Sequence, residues 1–140
     1  MSKKVITVSP SATAEDTIRM LYLNRISGAP VVDADGELLG LITEFQLLGV
    51  VFDPELKEVR VGTFMTRDVL TVDESDLLSN VASLMVSHRI RRLPVVRNNK
   101  VVGIVARRDV INYMVENGES IHQLFDDIRN SVYVANDSPA

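Results

Sequence analysis

Arg25-Ile26-Ser27-Gly28-Ala29-Pro30-Val31-Val32 returns later in the chain as Arg89-Ile90-Arg91-Arg92-Leu93-Pro94-Val95-Val96. With Pro30 laid on Pro94, Thr7-Val8 falls on Thr71-Val72 upstream. Downstream, Gly40-Leu41-Ile42-Thr43 falls on Gly103-Ile104-Val105-Ala106 once one residue is dropped from the second copy. A repeat of this kind decides the fold before any single element does. A unit too small to bury its own apolar face buries it against its twin. Two such units leave clefts between them, so function is expected where the copies meet and where they differ.

Each copy reads as the same series of elements. In the first, Ile6 to Val8 is a short strand ended by Ser9-Pro10. Thr13 and Asp16 have the spacing of a capping box, and Ala14, Ile18 and Leu21 follow as a helical apolar stripe. Pro30 to Val32 and Leu38 to Ile42 are β-rich runs separated by the turn residues Asp33-Ala34-Asp35-Gly36, which predicts a hairpin. That turn resembles a calcium loop only superficially, because its glycine comes too early. Thr43 to Val51 is again helical. The second copy predicts a strand over Val69 to Val72 and a helix from Ser75 to His88 with Leu77, Val81, Leu84 and Met85 inward. A hairpin turning at Asn98-Asn99 and a helix from Arg108 to Asn117 complete it. The expected class is α/β, two β-α-β-β-α repeats packed as a pseudo-twofold pair. The domains are residues 1–52, a polar linker at 53–62, residues 63–118, and a C-terminal helix and tail at 119–140.

Composition narrows the function classes. The chain has 140 residues, 46% of them hydrophobic, which suits two small units sharing a core. It contains no cysteine, which removes disulfides, thiolate metal sites and thiol nucleophiles. No h-region of a signal peptide precedes Ser9-Pro10, and the run from Leu47 to Phe52 is far short of the roughly 20 apolar residues a membrane helix needs. A soluble, cytoplasmic protein is expected. The net charge of −4 argues against nucleic acid as a partner. Yet His88, Arg89, Arg91 and Arg92 crowd one stretch, with Arg97, Arg107 and Arg108 following in the same copy. That concentration fits an anionic ligand, and equally a solvated face.

Taken together, Met65-Thr66-Arg67-Asp68-Val69-Leu70-Thr71-Val72 opening a repeat, the Arg-Ile-x-x-x-Pro-Val-Val block and Gly103-Ile104-Val105-Ala106-Arg107-Arg108-Asp109-Val110 closing it resemble tandem cystathionine β-synthase (CBS) domains, the pair called a Bateman module. The resemblance covers residues 1 to 117. It implies a regulatory module, not an enzyme, that binds an adenosine nucleotide (AMP, ADP or ATP) in a cleft between the repeats and signals to an effector protein. It also implies flat homodimers.

In that family the closing motif supplies a hydroxyl and, three positions on, an aspartate that accepts from the ribose hydroxyls. Here the two are split. The second copy has Asp109 but Ala106, and the first has Thr43 but Gln46. The resemblance therefore favours a cleft of Asp109, Ala106, Arg108, Arg91 and Arg92, with Ile6, Ile26, Ser27 and Gly28 on its other wall. A weaker second cleft would hold Thr43, Gln46, Asp68, Leu70 and Ile90. A carboxylate can accept from two ribose hydroxyls, and arginine forks match phosphate oxygens. Asp109 also suits plain helix capping, and the arginines suit a helix C-terminus. His88 has no partner placed to make it a base. No metal and no resident cofactor is expected. The alternative is a structural dimerisation module whose clefts have lost their ligand. A homodimer is expected in either case, through Leu47, Leu48, Val51, Ile111 and Met114 left exposed on the closing helices.

Overall fold

The computed structural model describes residues 5–116, which divide into two compact units, 5–70 with 97–101 and 71–96 with 102–116. The expected C-terminal helix and tail at 119–140, and the end of the last helix at Asn117, lie outside the described residues. Among the described residues no helix is long and apolar enough to cross a membrane.

The first unit is built on helix α1, Ala14–Asn24, strands β1, Gly28–Val32, and β2, Leu38–Thr43, and helix α2, Glu44–Val51. Thr13 caps α1 by accepting the Asp16 N–H at 3.1 Å, which satisfies one of the helix's free amides. The helix ends at Arg25 in the left-handed region, φ 55°. β1 and β2 pair antiparallel, Ala29 against Ile42 and Pro30 against Leu41, with an irregularity at Val31/Val32. Asp33 shapes the turn, its carboxylate accepting from the amides of Asp35 and Glu37. Gly36 takes φ 85° there, a conformation that glycine alone adopts without cost. The strand expected over Ile6–Val8 contracts to Val8, which is bridged to Val31 and hydrogen-bonded through Pro30 and Val32.

The stretch that reads as a polar linker is packed. Helix α3, Val61–Phe64, begins at its end, and Thr13 bridges Arg60. Val61 is fully buried and Met65 nearly so, in one core with Val8, Leu21, Val31, Ile42 and Leu47. Each large side chain of that kind contributes about 1.5–3 kcal/mol when withdrawn from water. Gly40 makes this closure possible. A Cβ built there would stand 2.5 Å from the Thr66 carbonyl oxygen.

The second unit repeats the plan with strands β3, Val72–Asp73, β4, Arg92–Arg97, and β5, Lys100–Ala106, and helices α4, Leu78–His88, and α5, Arg107–Glu116. The sheet order is β3-β4-β5, with β3 parallel to β4. Asn98 and Asn99 both have positive φ, as the two-residue hairpin turn requires. The core holds Val72, Val81, Met85, Leu93, Val95 and Val105. Three expectations are corrected. β3 starts at Val72, not Val69. α4 starts at Leu78, not Ser75, because the Asp73 carboxylate takes the Ser75 amide and hydroxyl and Asp76 takes the Asp73 amide. Local turns of this kind compete with the first helical turn. Leu77, expected inward, is consequently 67% exposed.

Candidate ligand site

Each repeat joins the loop before its hairpin proline to the start of its closing helix. In the second unit the Arg107 N–H donates to the Arg91 carbonyl at 3.0 Å, and in the first the Glu44 N–H donates to the Ser27 carbonyl at 2.9 Å. The loops are aimed by their helix ends, since Arg89 at the end of α4 takes φ 53°, as Arg25 does at the end of α1. Sequence positions more than a dozen residues apart are thus brought together in both copies.

At the third residue of each closing helix the copies diverge. Asp109 uses Oδ2 to accept the Ala106 N–H at 2.7 Å. This fixes the carboxylate at the positive end of α5, where a negative charge is favoured. Oδ1 takes no hydrogen bond from the described residues, so half the group's acceptor capacity is left over among them. Arg91, Arg107 and Arg108 are exposed around this helix start, and Arg92 is half-buried. In the first unit Gln46 Oε1 accepts the Thr43 N–H at 3.0 Å, while Nε2 donates to the Phe64 carbonyl at 3.2 Å and to Thr66 Oγ1 at 2.7 Å. Both amide hydrogens are spent on the segment after α2. Gln46 is therefore a structural clamp, and Thr43, half-buried beside it, caps the same helix.

The other expected residues fall as follows. Ile26 and Ser27 line an open depression of about 770 Å³ in the first unit with Tyr22, Arg25 and Glu44. Gly28 is buried at the start of β1, and Ile6 is half-buried two residues before Val8. Asp68 and Leu70 are exposed in the first unit, whereas Ile90 packs against the core of the second. Within the second unit, then, Asp109, Ala106, Arg91 and Arg108 share one neighbourhood.

A groove that the sequence reading missed also reaches Asp109. It measures about 230 Å³, with Val72, Val81, Val95, Val105 and Val110 buried along it. Asp73, Glu74, Asp76 and Tyr113 stand exposed at its edge. It is smaller than the roughly 300–1,000 Å³ of ordinary small-molecule sites, and its carboxylates repel phosphate. Among the described residues no group of three or more His, Cys, Asp or Glu side chains is placed to hold a metal ion.

Comparison with known proteins agrees with this architecture. The family model described as CBS domain matches residues 1–53 and 61–116. The structure of CBSX2 in complex with AMP superposes with a TM-score of 0.74 at 29% identity, covering 83% of this chain and 91% of that one. The CBS domain pair of protein MJ0100 in complex with 5'-methylthioadenosine and S-adenosyl-L-methionine gives 0.73 at 28% identity, covering 84% and 93%. Protein MJ1225 of Methanocaldococcus jannaschii is 32% identical over 114 residues, which are 81% of this chain but 41% of MJ1225. The chain belongs to the CBS domain family.

Proposed function

We propose that this CBS domain pair is a regulatory module that binds an adenosine nucleotide of the AMP, ADP or ATP class at the closing motif of its second repeat. Binding is passed by conformational change to an effector protein. The observation that carries this reading is Asp109, held by one oxygen at the start of α5 with the other left as an acceptor. Ribose hydroxyls are the donors such an oxygen suits, and the exposed Arg91 guanidinium, with Arg92 beside it, supplies charge for phosphate. The complexes of CBSX2 with AMP and of MJ0100 with adenosyl compounds lend the reading support.

The same reading includes a homodimer. In the first unit Leu48 is 56% exposed and Phe45 and Phe52 more than 80%, apolar exposure that marks an interaction site, and in the second unit Ile111 is 58% exposed. Leu47, expected among these residues, faces the core instead. The side chains of Val51 and Met114 lie outside the described residues.

The test is calorimetry with adenosine, AMP, ADP, ATP and S-adenosylmethionine against wild type, Asp109→Asn and Asp109→Ala. Asparagine keeps an acceptor for the Ala106 amide but loses the charge and the second acceptor, so capping and ligand binding separate. Both variants are expected to weaken every ligand, by roughly 1.5–3 kcal/mol per charged bond lost. Arg91→Ala is expected to weaken only the phosphorylated ones. Nucleotide binding at wild-type strength in both Asp109 variants overturns the assignment. The second reading, a dimerisation module without a ligand, draws on Ala106 and on the spent amide of Gln46. It predicts that no adenosine compound raises the melting temperature, where a hundredfold excess over Kd should add about 2.7 kcal/mol.

A further inference from the structure

Both repeats tie the loop before the hairpin proline to the closing helix by the same backbone bond, but they load that junction with opposite charge. In the first repeat the tied residues are Ser27 and Glu44, followed by Gly28 and Phe45. Their counterparts in the second are Arg91 and Arg107, followed by Arg92 and Arg108. One negative charge in the first copy thus stands against four positive charges in the second. Arg91, Arg107 and Arg108 are exposed, and none of the three takes part in an ion pair among the described residues.

The arginines at the helix start work against the fold. The first amides of a helix carry partial positive charge, so acids are favoured there and cations at the opposite end. Helix α2 obeys with Glu44 as its first residue. Helix α4 obeys at its other end, where His88 and Arg89 close it. Helix α5 instead begins with Arg107 and Arg108 and has Asp109 alone as an acid in its first turn. A solvated face needs charge, but not charge of the disfavoured sign at this place. A local rule broken without compensation from the chain itself is where function is expected.

We propose that Arg107 and Arg108 form a seat for a polyphosphate chain, the second and third phosphates of a nucleotide whose ribose Asp109 takes. The inference rests on the Asp109 site proposed for the same repeat, where Arg91 and Arg92 meet the first phosphate. Each further phosphate adds negative charge and acceptor oxygens, which guanidinium forks match in pairs. Like charges crowded at one junction also repel until an anion arrives, and the relief grows with the charge that the anion brings. Arg107 and Arg108 therefore select nucleoside di- and triphosphates over monophosphates. The first repeat, with Glu44 at the same place, repels such a chain.

The test is calorimetry at low salt with adenosine, AMP, ADP, ATP and inorganic triphosphate, on the wild-type chain and on Arg107→Gln. Wild type is expected to bind ATP at least about tenfold more tightly than AMP. Arg107→Gln should hold adenosine and AMP at near wild-type strength and lose about tenfold or more for ADP and ATP, as one charged hydrogen bond is worth. A second measurement checks the electrostatic premise. Free Arg107→Glu, which carries the residue the first repeat uses, should melt above wild type, because an acid replaces a cation at the helix start. A variant that melts below wild type refutes that premise. Equal losses for AMP and ATP in Arg107→Gln, or no loss, overturn the proposal and leave the Asp109 site standing. If wild type ignores adenosine, the Asp109 site fails, and inorganic triphosphate then decides the arginine seat. Binding of triphosphate that falls about tenfold in Arg107→Gln keeps the seat, and no binding removes it.

Discussion

One methyl group, added at Gly40 or at Gly49, should move stability in opposite directions. Gly40 lies buried in β2, and a Cβ there meets the Thr66 carbonyl oxygen at 2.5 Å and the Met65 sulfur at 2.8 Å. The sulfur lies near the end of a flexible side chain and can move. The carbonyl cannot, because it accepts the Leu41 N–H at 2.8 Å while Leu41 accepts the Thr66 N–H at 2.9 Å. Gly40→Ala must therefore push away the segment that closes the core. Overpacking costs about 1–3 kcal/mol, and weakening that hydrogen-bond pair adds about 0.5–1.5 kcal/mol for each bond lost. Against this stands a gain of about 0.5–1 kcal/mol from a less flexible unfolded chain. The net expectation is a loss of about 3 kcal/mol, a fall in melting temperature of roughly 12 °C at about 4 °C per kcal/mol for a chain of this size. Gly49, exposed in α2, has nothing among the described residues within 4 Å of its added Cβ. Gly49→Ala should gain about 0.5–1 kcal/mol. Urea unfolding and thermal melts of both variants measure the pair. A Gly40→Ala protein as stable as wild type would refute the closure of the first unit by residues 57–66.

Three other outcomes are expected. Ser83 is 1% exposed in α4 and its hydroxyl has no hydrogen-bond partner among the described residues, so Ser83→Ala should stabilise by about 1 kcal/mol in denaturant titration. Arg25 and Arg89 hold left-handed conformations at their helix ends, and Arg25→Gly should stabilise by up to about 1 kcal/mol in the same assay. The Asp73 carboxyl is held below its ordinary range, chiefly by the Ser75 backbone amide and then by the Ser75 hydroxyl. A lowered folded-state value stabilises the protein above the unfolded value and is lost as pH falls through the folded one. Melts taken from pH 6 downward should therefore show stability declining below about pH 4, with a shallower decline in Asp73→Asn.

The repeat, both hairpins and the two helices that follow them were legible because each is written in local chemistry: the Pro-Val-Val runs, the Asp33 turn, Asn98-Asn99 and the caps. What escaped was set by contacts distant in sequence or by competition between neighbours. The polar stretch after α2 conceals Val61, whose burial comes from Pro10, Ala12 and the core rather than from any run of apolar neighbours. Helix α4 loses its expected first turn to the Asp73 and Asp76 carboxylates. Leu47 and Leu48 are adjacent, and on so short a helix only the packing shows which faces inward. At the candidate site, the identity of Asp109 was legible but the way its two oxygens divide was not. The Ala106 amide reaches back to it only once α5 has formed.

The split of the closing motif between the copies has a physical logic once the two positions are compared. A carboxamide and a carboxylate at the third helical residue can both accept the amide at the helix start, and here both do. Only the carboxamide has hydrogens left to donate, and Gln46 gives them to Phe64 and Thr66, fastening the cover of the first repeat. An aspartate placed there could accept nothing from that carbonyl and would set its charge beside it. Asp109 has the converse capacity, with acceptors and no donors. It cannot fasten a neighbouring segment through a carbonyl. The acceptor that remains is suited to a hydroxyl arriving from outside. In these terms the first repeat uses this position for closure, and the second keeps an acceptor there that no described residue uses, an exchange made by one side chain on an otherwise shared plan.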